Sequence, residues 1–107
     1  MQRIGMVIRV RPEKRDEYIR LHAQVWPEVI EVIRSVGIRD FSIFHHAGLL
    51  FGTFDFHGDD LDAAFAEMNA QPVIRRWYQE TEPCQQPIET APDGAWWTFM
   101  DEVFHME

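Results

Sequence analysis

The sequence predicts an α+β fold with the element order β-α-β-β-α-β. Three observations carry that expectation. β-rich runs lie at both ends of the chain, two more lie in the middle around Ala47-Gly48, and the stretches between them repeat apolar residues every three or four positions.

The first run is Ile4 to Val10, where Ile4, Met6, Ile8 and Val10 alternate onto one face. The opposite face mixes Gly5, Val7 and Arg9. Pro12 then suits a first helical turn, where its missing N–H costs nothing. Tyr18, His22, Val25, Val29, Val32 and Val36 follow as one stripe, widened by Leu21, Ile30 and Ile33. Pro27 should kink or split this helix near Trp26, and Gly37 is placed to end it.

Phe41–His46 and Leu49–Phe56 are the central strands, and Ala47-Gly48 is a short hairpin signal. The second run is apolar on both faces, with Leu49 and Phe51 on one and Leu50, Phe54 and Phe56 on the other. A sheet wetted on one side alternates more cleanly, so both faces should be covered. Asp59 and Asp60 can cap a helix carrying Leu61, Phe65 and Met68. Gln71-Pro72 restarts a helix with Val73, Ile74, Trp77 and Tyr78. Pro83, Pro87, Pro92 and Gly94 mark residues 82–94 as a long loop, and Trp97 to Met106 should form the last strand. This is the ferredoxin-like order, with helices on one face of a four-stranded antiparallel sheet. The other face needs a partner, and a second copy is the simplest one. A homodimer with its two sheets facing each other, a dimeric α+β barrel, is expected.

The chain has 107 residues and is 46% hydrophobic, which suits one folded domain over residues 1–107. Its formal net charge of -8 argues against nucleic acid or an anionic membrane as partner, since both call for a basic patch. One cysteine, Cys84, permits no internal disulfide and fits a cytoplasmic compartment. No signal peptide or membrane-spanning run is read. No glycine-rich phosphate loop is present, and no His-x-Glu or Cys-x-x-Cys spacing points to a metal. The adjacent His45 and His46 point to opposite sheet faces and cannot readily chelate together. What remains is chemistry that a few side chains perform on an uncharged substrate.

Tyr18 and His22 are one helical turn apart on the apolar stripe, so both should face the sheet. A phenol beside an imidazole in an apolar pocket can do acid–base chemistry near neutral pH. Spacing alone favours the plainer reading of a core histidine with one hydrogen bond and Tyr18 as packing. Trp77 and Tyr78 are adjacent aromatics whose faces can stack on sugar C–H groups. Spacing alone again favours Trp77 as core and Tyr78 as rim.

The chain resembles the L-rhamnose mutarotases over nearly its whole length. The resemblance is carried by Glu17-Tyr18, His22 and Trp26-Pro27-Glu28, with Arg76-Trp77 and Glu102-Val103-Phe104. It implies a single mutarotase-like domain, a dimeric α+β fold, no cofactor and no metal. It also implies that His22 is the proton donor and that Tyr18, with the aromatic pair Trp77-Tyr78, binds the sugar. At the family's substrate-binding tyrosine position this chain has Phe41, which removes a hydroxyl from the expected pocket. L-Fucose or a related deoxy-sugar is therefore a rival to L-rhamnose. Mutarotation opens the hemiacetal and closes it on the other face; an acid at His22 would supply the ring-oxygen proton and would lose activity at high pH. The base is open among Tyr18, a carboxylate and water. Two other readings share the fold: a small monooxygenase acting on aromatic substrates or haem, and a non-catalytic sugar-binding domain.

Overall fold

Strand β1, Gln2–Val10, is the centre of the structure, a computed structural model that describes residues 1–107. After a 3₁₀ turn at Pro12–Lys14, the chain forms α1 (Arg15–Ala23) and α2 (Pro27–Ser35). Trp26 between them has the extended backbone imposed on a residue before proline, φ -58° and ψ 133°, so Pro27 splits the helix as its chemistry demands. Gly37, at φ 101°, turns the chain out of α2; a side chain there would also meet the His57 carbonyl at 2.9 Å.

Strands β2 (Ile38–His46) and β3 (Leu49–Phe56) form the expected hairpin. Both its turn residues, Ala47 and Gly48, have positive φ, the conformation that matches strand twist in a tight hairpin. Helices α3 (Leu61–Asn69) and α4 (Pro72–Thr81) follow. The Asp60 carboxylate caps α3 by accepting from the Ala63 N–H at 3.0 Å.

The sheet order is β2-β3-β1-β4, with β4 at Gln85–Gln86, and it is entirely antiparallel, as the ferredoxin-like order requires. Ile4, Met6, Ile8 and Val10 of β1 and Leu50, Phe54 and Phe56 of β3 are buried on the helix-covered face. Ile4, Met6, Phe54 and Phe56 pack with Val29 of α2, Ala64 and Met68 of α3, and Ile74 and Trp77 of α4, while Ile8, Val10 and Leu50 form a second cluster with Tyr18 of α1 and Cys84. On the opposite face Val7, Phe51 and Phe44 form a row across three strands, and Phe44 is 62% exposed.

The last strand departs from expectation. Its place beside β1 is taken by two short strands, β4 (Gln85–Gln86) against Arg9–Val10 and β5 (Thr98–Met100) against Gly5–Val7. Residues expected to be loop thus contain a 3₁₀ turn at Glu82–Cys84 and β4. Residues 101–106, expected to continue the strand, have no regular structure and are exposed. Asp101 to Val103 leave the sheet although β1 extends opposite them: continued from the Gly5↔Met100 pair, the register would set Val103 opposite Gln2, the first residue of β1. Phe104 to Met106 then have no strand in this chain to pair with.

Candidate active site

Helix α1 places Tyr18 and His22 on its sheet-facing side. Their rings stack, with centroids 4.1 Å apart and planes inclined by 28°. Trp77 of α4 stands edge-on to His22 at 5.4 Å, and Trp26 stands edge-on to Trp77 at 5.1 Å. Tyr18 is sunk among Ile8, Val10, Leu50 and Cys84, whereas His22 is half-buried.

His22 Nδ1 lies 2.8 Å from the Tyr18 backbone carbonyl. A carbonyl oxygen can only accept, so Nδ1 carries the hydrogen. In the neutral ring this leaves Nε2 with its lone pair, and Nε2 has no hydrogen-bond partner in the chain. Burial lowers the His22 pKa below its ordinary 6.5, more than the Tyr18 carbonyl raises it. The resting ring near pH 7 is therefore neutral.

Burial has the opposite consequence for Tyr18, pushing its phenol well above the ordinary range. It remains a neutral O–H at any working pH. Its oxygen accepts from Gln85 Nε2 at 3.4 Å, and Gln85 Oε1 accepts from Trp96 Nε1 at 2.8 Å. No carboxylate joins the pair: Glu17, next to Tyr18 in sequence, is engaged with Lys14 at 3.4 Å and Arg20 at 3.6 Å.

The structure brings Tyr18, His22 and Trp77 together and sets Phe41 and Tyr78 outside that stack. Tyr78 donates to Asn69 Oδ1 at 2.9 Å, and burial, with Glu82 nearby, pushes its pKa up to about 12. Phe41 belongs to a second aromatic series, edge-on to Phe54, which leads through Phe65 to Phe99. Trp77 is only 6% exposed, so little more than its rim is left to meet a ligand. Three neighbours were not singled out as site residues. Trp26 had a signal, since it follows His22 by four residues on the same stripe. Trp96 had only its adjacency to Trp97, a second aromatic pair like Trp77-Tyr78, and Gln85 had none, because a glutamine in a proline-rich segment gains meaning only through a contact across the fold.

An open cleft of about 460 Å³ is lined by Arg20, Leu21, Ala23, Gln24 and Trp26, the residues flanking His22. Another of about 440 Å³ lies between Pro12, Arg15, His45 and the hairpin turn. Neither is lined by His22 itself. Cys84 is buried and its thiol pKa is raised, mainly by desolvation, which makes it a poor nucleophile. No group of three or more His, Cys, Asp or Glu side chains is placed to hold a metal ion.

Residues 3–106 match the family model described as L-rhamnose mutarotase. An L-rhamnose mutarotase from Burkholderia cenocepacia is 33% identical over 118 aligned positions, covering all of both chains. Among solved structures, an L-rhamnose mutarotase from Formosa agariphila superposes with a TM-score of 0.77 at 20% identity, covering all of both chains. The tetracenomycin F2 cyclase of Streptomyces glaucescens superposes with a TM-score of 0.70 at 16% identity over all of this chain and 97% of its own. The fold is thus shared by proteins of different activity and does not itself select one.

Proposed function

The chain belongs to the L-rhamnose mutarotase family, and from that premise we propose that it interconverts the α and β anomers of free L-rhamnose through His22. The observation that carries the residue assignment is the His22 Nδ1 bond to the Tyr18 carbonyl, because it leaves Nε2 ready to accept a proton. The anomeric oxygen and the ring oxygen of a hemiacetal are bonded to the same carbon, so one nitrogen can serve both. Nε2 takes the proton from the anomeric hydroxyl. The C1–ring oxygen bond breaks, a carbonyl forms at C1, and the new imidazolium delivers the proton to the ring oxygen. After rotation about C1–C2 the steps reverse on the other carbonyl face, and His22 ends neutral. The proton-donor role expected of His22 is thus carried by an imidazolium that exists only within turnover. The Tyr18 O–H supports the oxygen on which negative charge grows, and Trp77 walls the imidazole. Acid–base help of this kind contributes about 10²- to 10⁴-fold.

The proposal takes residues 1–107 as one mutarotase domain that works as a cytoplasmic homodimer without a cofactor. The single cysteine supports the reducing compartment and the bare apolar sheet face supports the dimer. No helix is long and apolar enough to cross a membrane. Phe41, with no hydroxyl to offer, is assigned to sugar discrimination, and Tyr78 to the support of Trp77 through its anchor on Asn69.

The test is NMR exchange between anomers of L-rhamnose, L-fucose and related hexoses. Fastest exchange with L-rhamnose is expected. Sugar binding without faster exchange would leave only a binding domain.

A further inference from the structure

We infer that Gln85 is a positioning residue for the reaction, holding the Tyr18 phenol with its proton aimed at the sugar. The inference rests on the mutarotase reading and on the Trp96–Gln85–Tyr18 chain of hydrogen bonds. An amide can be turned either way, but the indole N–H of Trp96 can only donate. The Gln85 atom it meets at 2.8 Å must therefore be the carbonyl oxygen. That leaves the Gln85 NH₂ group facing Tyr18 Oη at 3.4 Å. The NH₂ group can only donate, so the phenol oxygen is the acceptor and its own hydrogen is directed elsewhere. Tyr18 Oη donates to no atom of the chain, which leaves that hydrogen for a substrate oxygen.

The arrangement is built rather than incidental. Gln85 is 4% exposed, one of two polar residues buried in the structure. Its backbone is fixed by pairing with Val10 of β1, and its side chain spans from Tyr18 on α1 to Trp96 at the end of the segment between β4 and β5. A buried amide with an unmet group is costly, so both bonds hold its orientation. Leucine or methionine would fill the same space without that cost. What the amide adds is polarity: it makes Tyr18 a donor of fixed direction, whereas a carboxylate in its place would make Tyr18 donate inward.

The experiment measures anomer exchange of L-rhamnose by NMR for the protein as purified. With Gln85→Met, kcat should fall about tenfold while KM stays within about twofold, since the bond acts where charge develops. With Gln85→Glu, the introduced carboxylate should capture the phenol proton and lower kcat about 10²-fold at neutral pH. Its rate relative to wild type should recover as pH falls, because a protonated carboxyl again donates to Tyr18 Oη. In a Tyr18→Phe background, Gln85→Met should cost nothing further. An equal cost of Gln85→Met with and without the phenol would show a merely structural role and overturn the inference, and this arm decides even if the charged variant does not fold. Unchanged kcat in folded Gln85→Met would overturn it too. A wild-type chain that does not accelerate exchange would overturn the mutarotase reading itself, and the Gln85 role with it.

Discussion

Burial opposes a charge on His22 more strongly than the Tyr18 carbonyl favours one, and this sets the direction of its pH dependence. A group whose pKa is lowered from 6.5 is neutral above that value and gains its proton only as pH falls further. Activity carried by the neutral ring should be level above pH 6.5 and decline on the acid side, as the proton occupies Nε2. Loss of activity at high pH, expected when His22 is taken as a resting acid, should be absent. A kcat/KM profile tests this, and an alkaline limb with a midpoint near 6.5 would return His22 to the resting-acid role. The same sign governs stability, because the unfolded ring binds its proton more readily, so folding free energy is lost as pH falls below 6.5. His22→Ala should lower exchange by roughly 10²-fold or more. The fold should survive, because the half-buried ring contributes two aromatic contacts, with Tyr18 and Trp77, each worth about 0.5–1.5 kcal/mol. A variant with wild-type circular dichroism and wild-type exchange would remove His22 from the mechanism.

Strand β2 carries a bulge that decides where Phe41 points. Asp40 has φ 52° and the pairing with β3 shifts between Arg39 and Ser42. Phe41 is thereby turned to the helix-covered face, over Gly52, where an added Cβ would meet Met6 at 2.9 Å and Phe41 at 3.6 Å. Phe41→Tyr adds a hydroxyl to a ring that is 37% exposed, so it can be accommodated without burying an unpaired group. A sugar hydroxyl gaining that partner should change relative rates among L-rhamnose, L-fucose and related sugars by up to about tenfold, the scale of one hydrogen bond. Constant ratios would show that Phe41 does not read the sugar. Elements set by local chemistry were legible in the sequence: alternation in β1, the Pro27 break, the Ala47-Gly48 turn and the Asp60 cap each depend on a few neighbouring residues. Of the divided fourth strand, Thr98–Met100 was legible within the expected run Trp97 to Met106, but Gln85–Gln86 was not, because it is a strand only through the free edge of β1. Locally, Pro83 and Pro87 on either side of it say loop. The site divides the same way. Tyr18 and His22 share a helical turn and were visible, whereas Gln85 reaches Tyr18 across 67 positions.

Across the whole molecule, the helices cover one face of the sheet and leave the other to water. That open face carries Phe44 at 62% exposure and Met100 at 40%, with Val7 and Phe51 between them in the strand order. Just beyond Met100, Val103, Phe104 and Met106 are 96%, 67% and 79% exposed. Apolar groups this concentrated on one face of a sheet suit an association surface. A second copy offers the same face, and closing two such faces with a two-fold axis satisfies both at once. Light scattering at micromolar concentration should therefore return twice the chain mass. Phe44→Glu should shift the protein to monomer, since it would set two carboxylates near the axis of a dry interface. The substitution should cost the folded monomer little, because most of the Phe44 ring is already in water. A dimer that persists in Phe44→Glu would place the contact elsewhere, and a wild-type monomer would leave the apolar face without the partner that its composition calls for.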